Sequence, residues 1–180
     1  LLICNIFILI LGLLDDLYSL SPFIRLIFQF IIYSLVWINN IKIESINFYL
    51  FDNISSIILP NWLSFLFSAI VIIGIMNAIN WLDGLDGLAS GYLFILFIAL
   101  IFIPQNNFSI PYTNINIALA GACFGFLFFN LYPSKIIMGD CGSNFLGYNI
   151  AILSLISGSP NVSDNLIIAN LSFFPFLLLL

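Results

Sequence analysis

Residues 76–91 read MNAINWLDGLDGLASG and place four polar side chains, Asn77, Asn80, Asp83 and Asp86, at steps of three in a chain where only 6% of residues are charged. On a regular α-helix a step of three falls about 60° short of a full turn, so four such positions fan over roughly half the cylinder. They converge on one ligand only if the helix tightens or breaks. Gly84 and Gly87, free to adopt backbone angles closed to other residues, supply the expected break. Taken alone, such a cluster is as readily a helix end running into a solvated loop; two further acidic clusters decide for a built site.

The rest of the chain is apolar. At 180 residues, 63% of them hydrophobic, and a mean hydropathy of +1.21, it falls outside the composition of soluble globules. A helix needs about 20 apolar residues to cross a hydrocarbon core of about 30 Å, and long Ile/Leu/Phe runs provide them. The period-two alternation of a membrane β-barrel is missing from these runs. The expectation is therefore an all-α polytopic membrane protein, with residues 1–180 forming a single integral-membrane domain. About seven spans are read, over Leu1–Leu14, Phe23–Ile38, Trp62–Met76, Leu88–Ile103, Ile115–Leu131, Asn144–Ile156 and Asn165–Leu180. The polar, β-prone segment Asn39–Asn61 reads as an extramembrane loop or small hairpin. Both ends fall inside apolar runs, so the chain reads as the interior of a longer protein, truncated at both ends.

Counting crossings brings Asp15-Asp16, then Asn80–Gly87, then Pro133–Ser143 to the same membrane face. One span more or fewer between any pair would have separated them. Arg25 and Lys135 lie on that face and Lys42 on the other, which makes the motif side cytoplasmic at a plasma (inner) membrane. With three basic residues in all, nucleic acid is excluded as a partner. Cys4, Cys123 and Cys141 are too scattered for a disulfide framework or a metal site.

The first cluster is Asp15-Asp16 in GLLDDLYSLSPFIRLIFQ. Neighbours on a helix point about 100° apart, so the two carboxylates take different jobs. Arg25 and Gln29, four apart, share a helix face nearby; Arg25 either contacts phosphate or reaches to the interface. The third cluster is PSKIIMGDCGSNFLG, residues 133–147. Gly139 and Gly142 flank Asp140 in an expected tight turn, Ser143 is read as the N-cap of the next helix, and Lys135 adds positive charge. A helix N-terminus beside such a turn suits a phosphate.

Five carboxylates at one face repel each other unless a cation joins them. Without His or a Cys set, zinc and copper chemistry is disfavoured, whereas Mg²⁺ or Mn²⁺ suits an all-oxygen site. A divalent cation would also let a diphosphate approach. The residues thus point to metal-assisted phosphoryl chemistry at a membrane surface.

At these residues the chain resembles the polyprenyl-phosphate N-acetylhexosamine-1-phosphate transferases, the MraY/WecA group also called glycosyltransferase family 4. The resemblance rests on Asp15-Asp16 with the Leu-Ser-Pro, Arg-Leu and Gln29 that follow, on NAINWLDGLDGLASG, and on KIIMGDCGSNFLG. It implies a bundle of about ten or eleven spans with a cytoplasmic active site. The implied reaction moves a sugar 1-phosphate from a UDP-sugar to a polyprenyl phosphate and releases UMP, with Mg²⁺, as the first membrane step of cell-envelope glycan synthesis. Implied partners are undecaprenyl phosphate, UDP-N-acetylhexosamine, membrane lipid and a second copy in a homodimer. Carried over to this sequence, Asp140 is a direct metal ligand with Asp16 beside it. Asp15 is the base or activator of the lipid phosphate, while Asn77, Asn80, Asp83 and Asp86 line the nucleotide and metal region. Arg25, Lys135 and Ser143 complete the substrate contacts.

Three departures qualify the resemblance. Arg25 stands where many members have Lys, Cys141 where Ala or Thr is usual, and the His-rich motif that follows the last span is absent from this sequence. The spacing from Asp16 to Arg25 resembles the O-antigen and teichoic-acid branch more than the peptidoglycan branch, which uses UDP-MurNAc-pentapeptide. A cation-coupled secondary transporter is the alternative from another class, and it requires carboxylates near the bilayer midplane.

Overall fold

A computed structural model describes residues 2–50, 53–102, 110–157 and 167–170. It is mostly helical, with α1 Leu2–Tyr18, α2 Pro22–Ile38, α3 Asn61–Leu82, α4 Leu88–Phe102, α5 Ile110–Asn130 and α6 Gly139–Ser157. Strands β1 Ile41–Leu50 and β2 Asn53–Ile58 lie between α2 and α3, and β3 Ile167–Asn170 follows α6. α3 and α5 are long and apolar enough to cross a membrane, and α2 and α4 are shorter apolar helices.

Local chemistry explains the punctuation. α1 stops where Ser19 takes a left-handed φ of 49°. At the start of α2 the Ser21 hydroxyl accepts from Ile24 N–H, and Pro22 occupies the first turn, where its missing N–H costs nothing. α2 ends at Asn39 and Asn40, the latter at φ 58°, a conformation Asn tolerates better than most residues. The expected hairpin is present: β1 and β2 pair antiparallel from Ser45 opposite Ile58 to Leu50 opposite Asn53. β3 joins the far edge of β1 in parallel, giving the order β2-β1-β3.

Several boundaries differ from the sequence expectation. α1 continues through Asp15-Asp16 instead of stopping at Leu14, and α3 runs past Met76 to Leu82, so Asn77 and Asn80 are helical. α5 starts at Ile110, within the expected loop, and α6 starts at Gly139 instead of Asn144. In α1, α3 and α6 a polar residue that read as a terminator finds a partner on another helix and stays inside its own. The seventh expected span, Asn165–Leu180, lies mostly outside the described residues. Its described part, Ile167–Asn170, is a strand.

α6 packs between α1 and α3, α2 leans on both α1 and α3, and α4 pairs with α5. Ile8, Tyr33, Ile72, Ile79, Phe97 and Ile150 are among the side chains at the centre, each no more than 1% exposed. α1 meets α6 backbone to backbone at Gly12, where an added Cβ would lie 2.4 Å from the Cα of Cys141. Outward faces stay apolar: Ile3, Phe23, Ile70, Ile95 and Phe128 are all more than 60% exposed. Such a surface is unsuited to water and suits a helical membrane protein. The C-terminal ends of α1 and α3 and the N-terminal end of α6 gather at one end, and the hairpin sits at the other.

Candidate active site

Asp15 and Asp16, adjacent in the last turn of α1, point to different partners. Asp15 is 4% exposed; its Oδ1 accepts from Leu20 N–H at 2.9 Å, and its Oδ2 pairs with Arg25 Nη1 at 2.9 Å. Arg25 therefore points inward. Asp16 reaches across to α6, where its two oxygens accept from the N–H groups of Asp140 at 2.8 Å and Cys141 at 3.0 Å. Those groups belong to the first turn of α6, so a carboxylate from α1 caps that helix and complements its dipole.

This cap corrects the reading of Ser143. The Ser143 hydroxyl lies inside α6, donating to Gly139 O at 2.9 Å and accepting from Asn80 Nδ2 at 2.9 Å. With Asp16 supplying the cap, α6 begins at Gly139, whose φ of 70° turns the chain into the helix. A Cβ on Gly139 would sit 3.1 Å from both Asp16 carboxylate oxygens. Gly142 is an ordinary helical residue.

The four residues of the 76–91 stretch do not converge on one point. Asn77 donates to Gln29 Oε1 at 2.9 Å and Asn80 donates to Asp140 Oδ1. Asp83 accepts from Gly139 N–H at 3.0 Å, and Asp86 accepts from the backbone and hydroxyl of Ser134 at 3.2 and 2.8 Å. The fan expected from steps of three is thus used in full, each position meeting a different neighbour. Of the two glycines expected to break the helix, only Gly87 takes a left-handed φ, 74°.

The structure brings Asp15, Asp16, Asp83, Asp140, Asn80, Ser143 and Arg25 together, with Arg25 Nη1 also 3.7 Å from Asp140 Oδ1. Asn77 sits one turn deeper. Asp86 lies at the rim on Ser134. Lys135 is exposed on the loop after α5, and its ammonium makes no ion pair among the described residues. All five carboxylates lie at helix ends, which disfavours the transporter alternative and its midplane site.

Charge in the cluster is unbalanced. The Asp83 carboxyl is pushed above its ordinary value of 3.8, first by burial and then by the neighbouring negative charges of Asp140 and Asp16, against the lowering effect of the Gly139 N–H. Among the described residues no three His, Cys, Asp or Glu form a ready metal cage. A Mg²⁺ ion needs only one or two carboxylates, with water and phosphate oxygens filling the rest of its octahedron. Asp140 fits that role: its carboxylate is one-third exposed, with Asp83 and Asp16 close enough to add their field. Each oxygen of Asp16 keeps a further lone pair beyond its N–H bond.

Some of the residues that build the site gave no signal as chemistry. Asn144, fully buried, accepts from Gln29 Nε2 at 3.1 Å. Asn130, 4% exposed, accepts from Gly87 N–H and the Ser90 hydroxyl and donates to Ile136 O, which pins the α3–α4 turn and the loop before α6 to the end of α5. A lone Asn closing an otherwise apolar helix was the available clue to Asn130.

Comparison with known proteins identifies the family. The pattern of the family described as glycosyl transferase family 4 matches residues 1–158. A probable undecaprenyl-phosphate N-acetylglucosaminyl 1-phosphate transferase of Bacillus subtilis (strain 168) is 34% identical over 149 residues, covering 83% of this chain and 41% of the relative. A phospho-N-acetylmuramoyl-pentapeptide-transferase of Prochlorococcus marinus (strain MIT 9515) is 37% identical over 145 residues, 79% of this chain and 38% of the relative. Another enzyme of that name, from Heliobacterium modesticaldum, is 44% identical over 88 residues, 49% of this chain and 27% of the relative. The chain spans about two fifths of the length of the first two. A family pattern matched over residues 1–158 and relatives 34% and 37% identical over about four fifths of the chain lead to one conclusion: the chain belongs to glycosyl transferase family 4.

Proposed function

We propose that this chain carries the reacting end of a transferase that moves N-acetylhexosamine 1-phosphate from a UDP-sugar to polyprenyl phosphate and releases UMP. The observation that carries this reading is the meeting of Asp140, Asn80, Asp83, Asp16 and Arg25 where the ends of α1, α2, α3 and α6 gather. Surplus negative charge there suits a divalent cation and, through it, a diphosphate. Residues of the cluster would hold Mg²⁺ at Asp140, with Asp16 adjacent; the ion supplies charge neutralisation for the phosphates when bound.

A groove of about 500 Å³ runs between α2 and α3 from Arg25, Asn77 and Trp81 at the polar end to Phe30 and Ile70 among the apolar residues. It suits a lipid with an anionic head. Arg25, whose Nε is buried without a partner among the described residues, faces the head, and Asp15 orients the guanidinium. Attack is direct: an oxygen of the lipid phosphate forms a bond to the β-phosphorus of the UDP-sugar as the bond to the UMP oxygen breaks. The demand on the protein is positioning and neutralisation of charge, and no side chain has to form a bond to phosphorus. In this reading the polar end faces the cytoplasm of a cell with a glycan envelope.

The second reading within the family takes UDP-MurNAc-pentapeptide, as the name of the Prochlorococcus relative suggests; its 37% identity is comparable with the 34% of the Bacillus relative. Full-length protein in detergent, given undecaprenyl phosphate, Mg²⁺ and each nucleotide sugar in turn, is expected to release UMP with UDP-N-acetylhexosamine. UMP from UDP-MurNAc-pentapeptide alone selects the second reading. No UMP from either, with the protein folded, refutes both.

A further inference from the structure

One helical turn beneath the charged cluster lies a layer of three uncharged amides on α2, α3 and α6, three of the four helices that carry the cluster. Gln29 on α2 is four residues after Arg25, Asn77 on α3 is three before Asn80, and Asn144 on α6 is four after Asp140. Gln29 is 1% exposed and Asn144 is fully buried. Asn77 Nδ2 donates to Gln29 Oε1 at 2.9 Å, and Gln29 Nε2 donates to Asn144 Oδ1 at 3.1 Å.

The direction of this chain is fixed by the helices themselves. Asn77 Nδ2 also donates to Ile73 O, and Asn144 Nδ2 donates to Asp140 O, each at 2.8 Å and each four residues back in its own helix. Asn77 therefore offers hydrogens and Asn144 offers an oxygen. Gln29 bridges them in one orientation only, because the flipped amide would set N–H against N–H and oxygen against oxygen. Such a chain, largely buried and with no buried amide atom of Gln29, Asn77 or Asn144 left unpaired, specifies a single arrangement of the elements it joins.

We propose that Gln29 and Asn144 are positioning residues that set the register of α2, α3 and α6, and hence place the Asp140 carboxylate for the cation. The charged layer above cannot do this for itself. Its carboxylates repel one another, and its contacts must rearrange when cation and phosphate arrive. Asn144 also ties to the Asp140 carbonyl, so the lower layer grips the backbone of the metal-binding turn directly. This inference rests on the proposed metal site, and its test reads the metal apart from turnover.

In full-length protein, Gln29→Met and Asn144→Leu keep side-chain volume and remove the bridge. Mn²⁺ affinity, read by electron paramagnetic resonance, and the Mg²⁺ concentration for half-maximal transfer are each expected to weaken about tenfold, the scale of losing a residue that orients a metal ligand. KM for the nucleotide sugar should stay near wild type. The double variant should be no worse than Asn144→Leu alone, since that variant already lacks both the bridge and the tie to the Asp140 carbonyl. Gln29→Glu is the rescue: while protonated, the new carboxyl donates to Asn144 and accepts from Asn77, so metal affinity should recover at low pH and fall as that group ionises. Wild-type metal affinity in folded Gln29→Met overturns the proposal, as do losses that add in the double variant. If wild type binds Mn²⁺ and the variants bind it more weakly but none transfers phosphosugar, the reaction is refuted and the positioning role upheld. A wild type that binds no Mn²⁺ overturns both.

Discussion

At the hairpin end of the helices, polar contacts are neutral or paired; at the motif end, negative charge is in surplus. Ser68 Oγ accepts from Ile43 N–H at 2.8 Å and donates to Ser64 O at 2.7 Å, while Ser64 Oγ donates to Ile43 O at 2.5 Å. Two hydroxyls on α3 thereby satisfy both backbone groups of a buried strand residue. Lys42 beside them pairs with Glu44 at 2.7 Å and lies over the Trp37 ring at 5.0 Å. Among the described residues that end carries no unpaired charge. At the other end one guanidinium, Arg25, faces Asp15 and Asp140, while Asp16 and Asp83 add further negative charge beside Asp140, and burial with that neighbouring charge raises the Asp83 carboxyl. A fold under selection for stability alone gains nothing from such repulsion. The contrast separates contacts that hold the protein together from contacts held ready for a cation and a phosphate.

The largest effect that sharpens this contrast is expected from Asp140→Asn. The amide keeps an oxygen for Asn80 and removes the charge, so phosphosugar transfer should fall by at least about a thousandfold while the melting temperature moves by less than about 4 °C. Turnover assay and thermal scan on the same sample check both halves; near-normal turnover removes Asp140 from the metal site. Gly12→Ala should blur the two ends, because the new methyl group meets the α6 backbone under the Asp16 cap. Overpacking of about 3 kcal/mol is expected, together with slower transfer as the first turn of α6 shifts. Stability like wild type would mean that α1 and α6 are further apart than described.

Ser68→Ala probes the hairpin end. It leaves Ile43 N–H buried and unpaired, at a cost of about 2 kcal/mol, with transfer per folded molecule unchanged. Lost turnover in a stable Ser68→Ala protein would contradict the division of labour between the ends. The smallest expected effect is a pH dependence at Asp83. Its folded-state value lies above 3.8, so the native state binds more protons than the unfolded one between those two values. Stability should therefore fall as pH rises through that window, in metal-free protein. Denaturant titrations across the window should show the slope in wild type and a flatter one in Asp83→Asn, and Mg²⁺ should flatten it as well.

Much of the site was legible because charge is so scarce in this chain. Three acidic clusters at the ends of apolar runs could meet only if the number of crossings allowed it, and counting the runs placed them on one face. Individual partnerships were not legible. That Asp16 would cap a helix by accepting from an N–H 124 residues later depends on how closely α1 approaches α6. That approach depends on a glycine which, in sequence, is one more small residue in an apolar run. Arg25 could be read toward phosphate or toward the interface, and the structure turns it first onto the buried Asp15. Asn144 and Asn130 carried no chemical signature, because an amide reveals its role only through the groups it faces.

Hydrophobic runs and sparse, regularly spaced carboxylates determined by themselves that the chain is helical, apolar on its outside, and polar at one end. Those features follow from what each residue type does in water or in hydrocarbon, whatever its neighbours. Only the tertiary structure decided which carboxylate pairs with Arg25, which caps α6, and which remains open enough for a cation. Hydrogen bonds act over about 3 Å, and residues more than a hundred positions apart come within that distance only after α1, α3 and α6 have packed.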